Sequence, residues 1–267
     1  MKKNIILTVA FIFFMIILII LSGATYKTVK GYSDSEKYLD SIYKIQEYNN
    51  EKIFTIEKIT YFSSSDANIE TNSNSSFTIS DLYQYTDIAI FINPNSENLT
   101  NKNTLKSVTL KNIDFLLKPS IGTQALYYKN INDFATSNFS KKNLIENSIN
   151  FDTTSENTID YSKPILYNNC ANPITLCYIN SSIQKKYTLN NAISNIAHNG
   201  SLLKACGITL NSIACKISFE IEIINNLDET YLCPITLNIP LSTDISTIYD
   251  GSLTLKDTTN YTFIRTK

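Results

Sequence analysis

Few residues in this chain can do chemistry, and that scarcity bounds the reactions open to it. It has one histidine, His198, one arginine, Arg265, and five cysteines, Cys170, Cys177, Cys206, Cys215 and Cys233. A hydrolase built on a Ser–His or Cys–His pair needs an imidazole base, so His198 would have to serve. It sits in Asn195-Ile196-Ala197-His198-Asn199-Gly200, beside a turn signal, where a lone histidine is ordinarily solvated. In an oxidising compartment cysteines pair. Spacing makes Cys170–Cys177 and Cys206–Cys215 the candidate disulfides, the second across a turn at Leu210-Asn211. The alternative is that they are buried thiols acting as small apolar side chains. A zinc site needs Cys/His pairs at short spacing such as C-x2-C, and the sequence contains none. No metal, cofactor or catalytic residue is therefore assigned.

Three known patterns come near and fall short. Surface transpeptidases of the sortase type use a His, a Cys and an Arg in that chain order, and here His198 precedes Cys206, Cys215 and Cys233, with Arg265 last. The Thr-Leu-x-Thr-Cys motif around their nucleophile is absent; Thr175-Leu176-Cys177 resembles part of it but precedes the histidine. Ser182-Ile183-Gln184-Lys185 and Ser201-Leu202-Leu203-Lys204 fit S-x-x-K, yet no K-T-G or S-D-N partner follows. Pilins also place an apolar helix before a β domain, but they need an acidic residue near its start, and none occurs before Asp34.

The elements that would carry these residues begin with a membrane signal. Met1-Lys2-Lys3 is followed by an uncharged apolar run from Ile5 to Leu21, closed by Ser22-Gly23-Ala24. A helix needs roughly 20 such residues to cross the hydrocarbon core, and a cleaved leader usually has a shorter apolar stretch of about 7–15. Length predicts an uncleaved, single-pass anchor that meets the lipid bilayer through residues 4–24. Cleavage after Ala24 is the competing reading. The short basic N-terminus and the clustering of cysteines beyond residue 165 place the C-terminal portion outside the cell. Abundant Asn, Ile, Lys, Ser and Thr resemble the usage of an AT-rich bacterial genome.

Beyond the anchor, residues 35–49 carry apolar side chains at helical spacing (Leu39, Ile42 and Tyr43). This predicts a helical stalk over residues 26–50. From Lys52 onward, β-branched and aromatic residues take over, with 17 Tyr, 13 Phe and no Trp. Lys52–Phe62 reads as strand and Ser63–Ser76 as a polar surface loop. Leu105–Phe115 reads as strand with a bulge between Leu110 and Ile113. Cys215–Ile223 and Cys233–Leu241 alternate strictly, and Pro234 and Pro240 mark the second as an edge strand. A polar stretch at residues 136–162 separates a β-rich half, 51–160, from a half with the cysteines, 161–267; the alternative is that the two halves form one domain. The expected fold is mainly β: a transmembrane helix and stalk, then an antiparallel β-sandwich, Ig-like or jelly-roll-like.

A net charge of −1 and a pI near 5.9 exclude nucleic acid as a partner. The expected function is a non-enzymatic surface protein that binds a protein or cell-envelope partner, or assembles there. Two alternatives stand beside it: an extracytoplasmic hydrolase or transpeptidase using His198, and a secreted fibre or matrix subunit.

Overall fold

The computed structural model describes residues 14–16, 18, 22, 26, 30, 33–42, 52–71, 77–94, 100–169, 172–189, 200–239 and 251–267. The chain divides into two compact units, Met1–Glu51 and Lys52–Lys267. In the first, the described residues are helical, and α1 covers 33–42. Its Tyr38, Leu39 and Ile42 are exposed. Among the described residues, no helix is long and apolar enough to cross a membrane. Most of residues 4–24 lie outside the described residues, as do 43–50 of the expected stalk.

The second unit is mainly β. Its strands are β1 (Phe54–Thr71), β2 (Phe77–Pro94), β3 (Leu105–Leu117), β4 (Thr123–Tyr128), β5 (Leu144–Ile145), β6 (Ile149–Thr154) and β7 (Ile165–Tyr167). After these come β8 (Asn172–Gln184), β9 (Tyr187–Leu189), β10 (Cys215–Asn225), β11 (Thr230–Ile239), β12 (Gly251–Leu255) and β13 (Ile264–Arg265). Two short helices, α2 (Ser201–Ala205) and α3 (Leu210–Ile213), fall between β9 and β10. Among the described residues, one sheet runs β12-β1-β2-β8-β4-β5 with β9 also on β2, and the other runs β13-β11-β10-β3-β6-β7. Residues 51–160 and 161–267 thus share both sheets. Pairing is antiparallel except between β6 and β7, which run parallel.

The sheets meet face to face through one apolar core. Ile59, Ile88, Ile90 and Leu176 of the first sheet join Val108, Ile217, Ile221 and Ile235 of the second. β10 alternates buried and half-exposed residues along its whole length, as its period-two sequence requires. The bulge expected in β3 falls where Lys111 pairs with Glu220 and Asp114 with Ser218, with Asn112 at φ 55. β11 is second from the edge rather than the edge. β13 pairs only with its Tyr231 and Leu232, leaving Pro234 beyond that short ladder.

The segment read as a polar loop is largely strand. Residues 63–71 continue β1 and pair with 77–86 of β2. Ser63, Ser64 and Ser65 are buried there. The reason is tertiary: Leu202 and Leu203 of α2 and Ile213 of α3 pack with Ala67, Ile79, Leu82 and Ile183 into a second core over this extension. Burial from outside the strand overrides weak local propensity.

Candidate functional site

On the outer face of the first sheet, away from the main core, a charged pair is sealed from solvent. Asp87 lies on β2, Cys177 is its register partner on β8, and Tyr127 of β4 is the partner of Cys177 on the other side. Lys129 follows β4 immediately and shares the face of Tyr127. Its Nζ reaches back across β8 to Asp87 Oδ1 at 2.7 Å. The side chains are 1% and 0% exposed. A buried charge without a partner would cost several kcal/mol, so the two residues require each other.

The cover is the loop after β4. A 3-10 turn at Ile131–Asp133 is capped by Asn130, whose side chain accepts from the N–H of Asn132. The chain then turns sharply at Ala135, a non-glycine residue at φ 60. That turn aims two consecutive backbone groups at the pair. The Ala135 N–H donates to Asp87 Oδ2 at 2.7 Å, and the Thr136 carbonyl accepts from Lys129 Nζ at 2.7 Å. Lys129 Nζ also lies 5.0 Å from the centre of the Tyr85 ring. Phe139 folds back onto Tyr127, ring centres 4.9 Å apart. Both carboxylate oxygens are thus engaged, and the ammonium has two oxygen acceptors and an aromatic face.

Burial dominates the electrostatics. It pushes the Asp87 carboxyl above its ordinary value despite the adjacent Lys129. It also pushes the Cys177 thiol well up, with the Asp87 charge adding to the effect. For the Asp87 carboxyl and the Cys177 thiol burial thus favours the protonated forms, the usual outcome of desolvation.

The residues singled out from the sequence fall elsewhere. His198 and Cys170 lie outside the described residues. Cys177, Cys206, Cys215 and Cys233 are buried free thiols, so Cys206 and Cys215 do not bridge. The turn expected at Leu210-Asn211 is instead α3. α2 ends in a Schellman motif, with Gly207 N–H on the Lys204 carbonyl and Ile208 N–H on that of Leu203, both at 3.0 Å. Cys206 consequently joins the second core and Cys215 the main one. Burial raises the Cys215 thiol to about 11 and the Cys233 thiol to about 12. Arg265 pairs with Glu229 at 3.0 Å, and Glu229 also accepts from the Tyr231 hydroxyl and the Asn225 amide.

Sequence reasoning passed over Asp87 and Lys129. The available signal was the lone acid in Tyr85-Thr86-Asp87-Ile88-Ala89-Ile90 and the lone base in Leu126-Tyr127-Tyr128-Lys129. A charge embedded in an apolar strand must find a partner. No protein-family model matches the chain, and no curated protein or solved structure is similar enough to match it.

Proposed function

We propose that the chain is a membrane-anchored bacterial cell-surface protein whose ectodomain, an Ig-like or jelly-roll-like β-sandwich, works by non-enzymatic binding or assembly. The observation that carries the reading is the uncharged run Ile5–Leu21 behind Lys2 and Lys3, ahead of a long strand-rich region. A span of that length fits the hydrocarbon core. The character of the reactive groups supports a binding role over catalysis. Asp87, Lys129 and Cys177 are closed under the 130–139 loop, Cys215 and Cys233 are held as neutral thiols, and Arg265 is occupied by Glu229. A reactive cysteine instead needs an exposed, electropositive setting.

The test is the intact mass and N-terminus of the native protein from membrane and medium fractions. Met1 retained in the membrane fraction supports the anchored ectodomain. A start at Thr25 in the medium overturns the anchor and favours the secreted fibre or matrix subunit. The hydrolase or transpeptidase alternative makes a separate demand: its activity must disappear in His198→Ala.

A further inference from the structure

We propose that Lys129 and Asp87 are joined in the mature protein by an intramolecular amide bond between Nζ and Cγ. The inference is independent of where the domain is displayed, because it rests on the buried pair alone. Nζ stands 2.7 Å from Oδ1, which places the carboxyl carbon one bond beyond. Holding two reactants at such separation converts a bimolecular condensation into an effectively unimolecular one, with effective molarities of about 10⁵–10⁸ M in well-oriented cases. Side-chain exposures of 1% and 0% exclude the water that would hydrolyse the product. In a dry site, transfer of one proton from the ammonium to the carboxylate gives a neutral amine and a neutral acid. Those are the forms that condense.

The 130–139 loop supplies the remaining parts. The Ala135 N–H on Oδ2 stands where negative charge grows as Nζ adds to Cγ, the arrangement that stabilises a tetrahedral oxyanion. The Thr136 carbonyl holds one amine hydrogen. The Nζ–Cγ bond forms and the Cγ–Oδ1 bond breaks. Oδ1 departs as water, carrying the acid proton and one amine proton, and nothing is oxidised or reduced. The product fits the same cradle: its carbonyl, the former Oδ2, keeps the Ala135 N–H, and its single N–H keeps the Thr136 carbonyl. A secondary amide needs one donor and one acceptor here, and the loop presents one of each. Ala135 adopts a left-handed conformation, disfavoured outside glycine, to present its N–H in this way. The bond would tie β2 to the end of β4 across β8, closing a loop between residues 42 apart in sequence.

The test is mass spectrometry of the full chain, denatured and reduced, with the mass referred to the N-terminus found. The expected mass is one water below that of the sequence, and a protease digest yields a branched peptide joining the Asp87 segment to the Lys129 segment. Lys129→Arg keeps a cation but lacks the nucleophilic amine, so it should show the full mass. A wild-type chain of full mass, with both segments recovered as separate linear peptides, overturns the proposal. A missing water that maps to a succinimide at Asp250-Gly251 overturns it too. The wild-type digest decides the matter even if the variant folds poorly.

Discussion

At the scale of single residues, the fold is most exacting where backbone and buried amides crowd together. Gly122, at φ +86 before β4, is pressed against Asn180; a Cβ there would lie 2.1 Å from Asn180 Oδ1 and 2.9 Å from the Ser181 carbonyl. The Asn180 amide also donates to the Ile121 carbonyl at 3.1 Å. Gly207, at φ +69, has open space around the same position. Gly122→Ala should therefore cost about 2–4 kcal/mol, conformation plus clash, and Gly207→Ala about 1–2 kcal/mol, conformation alone. Denaturant unfolding of both variants checks this, and equal losses would refute the crowding argument. The thiols give a second expectation. Burial raises Cys215 and Cys233 from 9.0 to about 11 and about 12. Folded values above unfolded ones mean that their contribution to stability is complete below pH 9 and is lost as pH climbs through 11 and 12. In the native protein at pH 8 both thiols should resist a disulfide-exchange reagent, and both should react once denatured. Rapid native labelling at Cys215 or Cys233 would contradict the burial.

At the scale of elements, the hairpin β1–β2 carries a row of polar side chains between two apolar cores. Ser65 of β1, Gln84 of β2 and Asn180 of β8 are register neighbours, each 0% exposed. Both polar atoms of the Gln84 side chain are without a hydrogen bond among the described residues. Replacing such a group by an apolar one of similar shape removes a desolvation cost of about 1–3 kcal/mol. Gln84→Met should raise the unfolding midpoint, while Gln84→Ala, which opens a cavity, should lower it. A drop with Met equal to that with Ala would show that the amide is satisfied. The same hairpin marks what can be read from sequence. The β10 alternation from Cys215 to Ile223, the bulge near Asn112 and the mainly β character follow from local pattern, because each strand records its own burial. Ser63–Thr71 does not, since α2 and α3, which cover it, come some 130 residues later in the chain. Asp87 and Lys129 are individually conspicuous, but the order β2-β8-β4 that unites them is not sequential. Local pattern also missed the helices that separate Cys206 from Cys215.

At the scale of the whole β unit, the C-terminal segment laces the two sheets together. β12 pairs with β1 at the margin of one sheet, and β13 pairs with β11 at the margin of the other. Between them, Thr262 bridges Thr55, the Thr258 hydroxyl donates to the Ile56 carbonyl, and Phe263 is buried edge-on to Phe54, ring centres 6.2 Å apart. Beyond β13, the Thr266 N–H donates to the Thr230 carbonyl at 2.8 Å, and the Thr230 N–H to the Lys267 carbonyl at 3.0 Å. Removing residues 251–267 would bare the ladder groups of Ile59–Ser63 on β1 and of Tyr231 and Leu232 on β11. An unprotected long strand is a template for pairing with another chain. The truncated protein should associate in a concentration-dependent manner on size exclusion and unfold at lower temperature. Phe263→Ala keeps the edge strands but empties the core position, so it should cost about 3–5 kcal/mol while leaving the association state unchanged. The contrast separates edge protection from core filling. If the truncated chain behaves like Phe263→Ala, the segment stabilises by packing alone, and the lacing of the two sheet margins contributes nothing measurable.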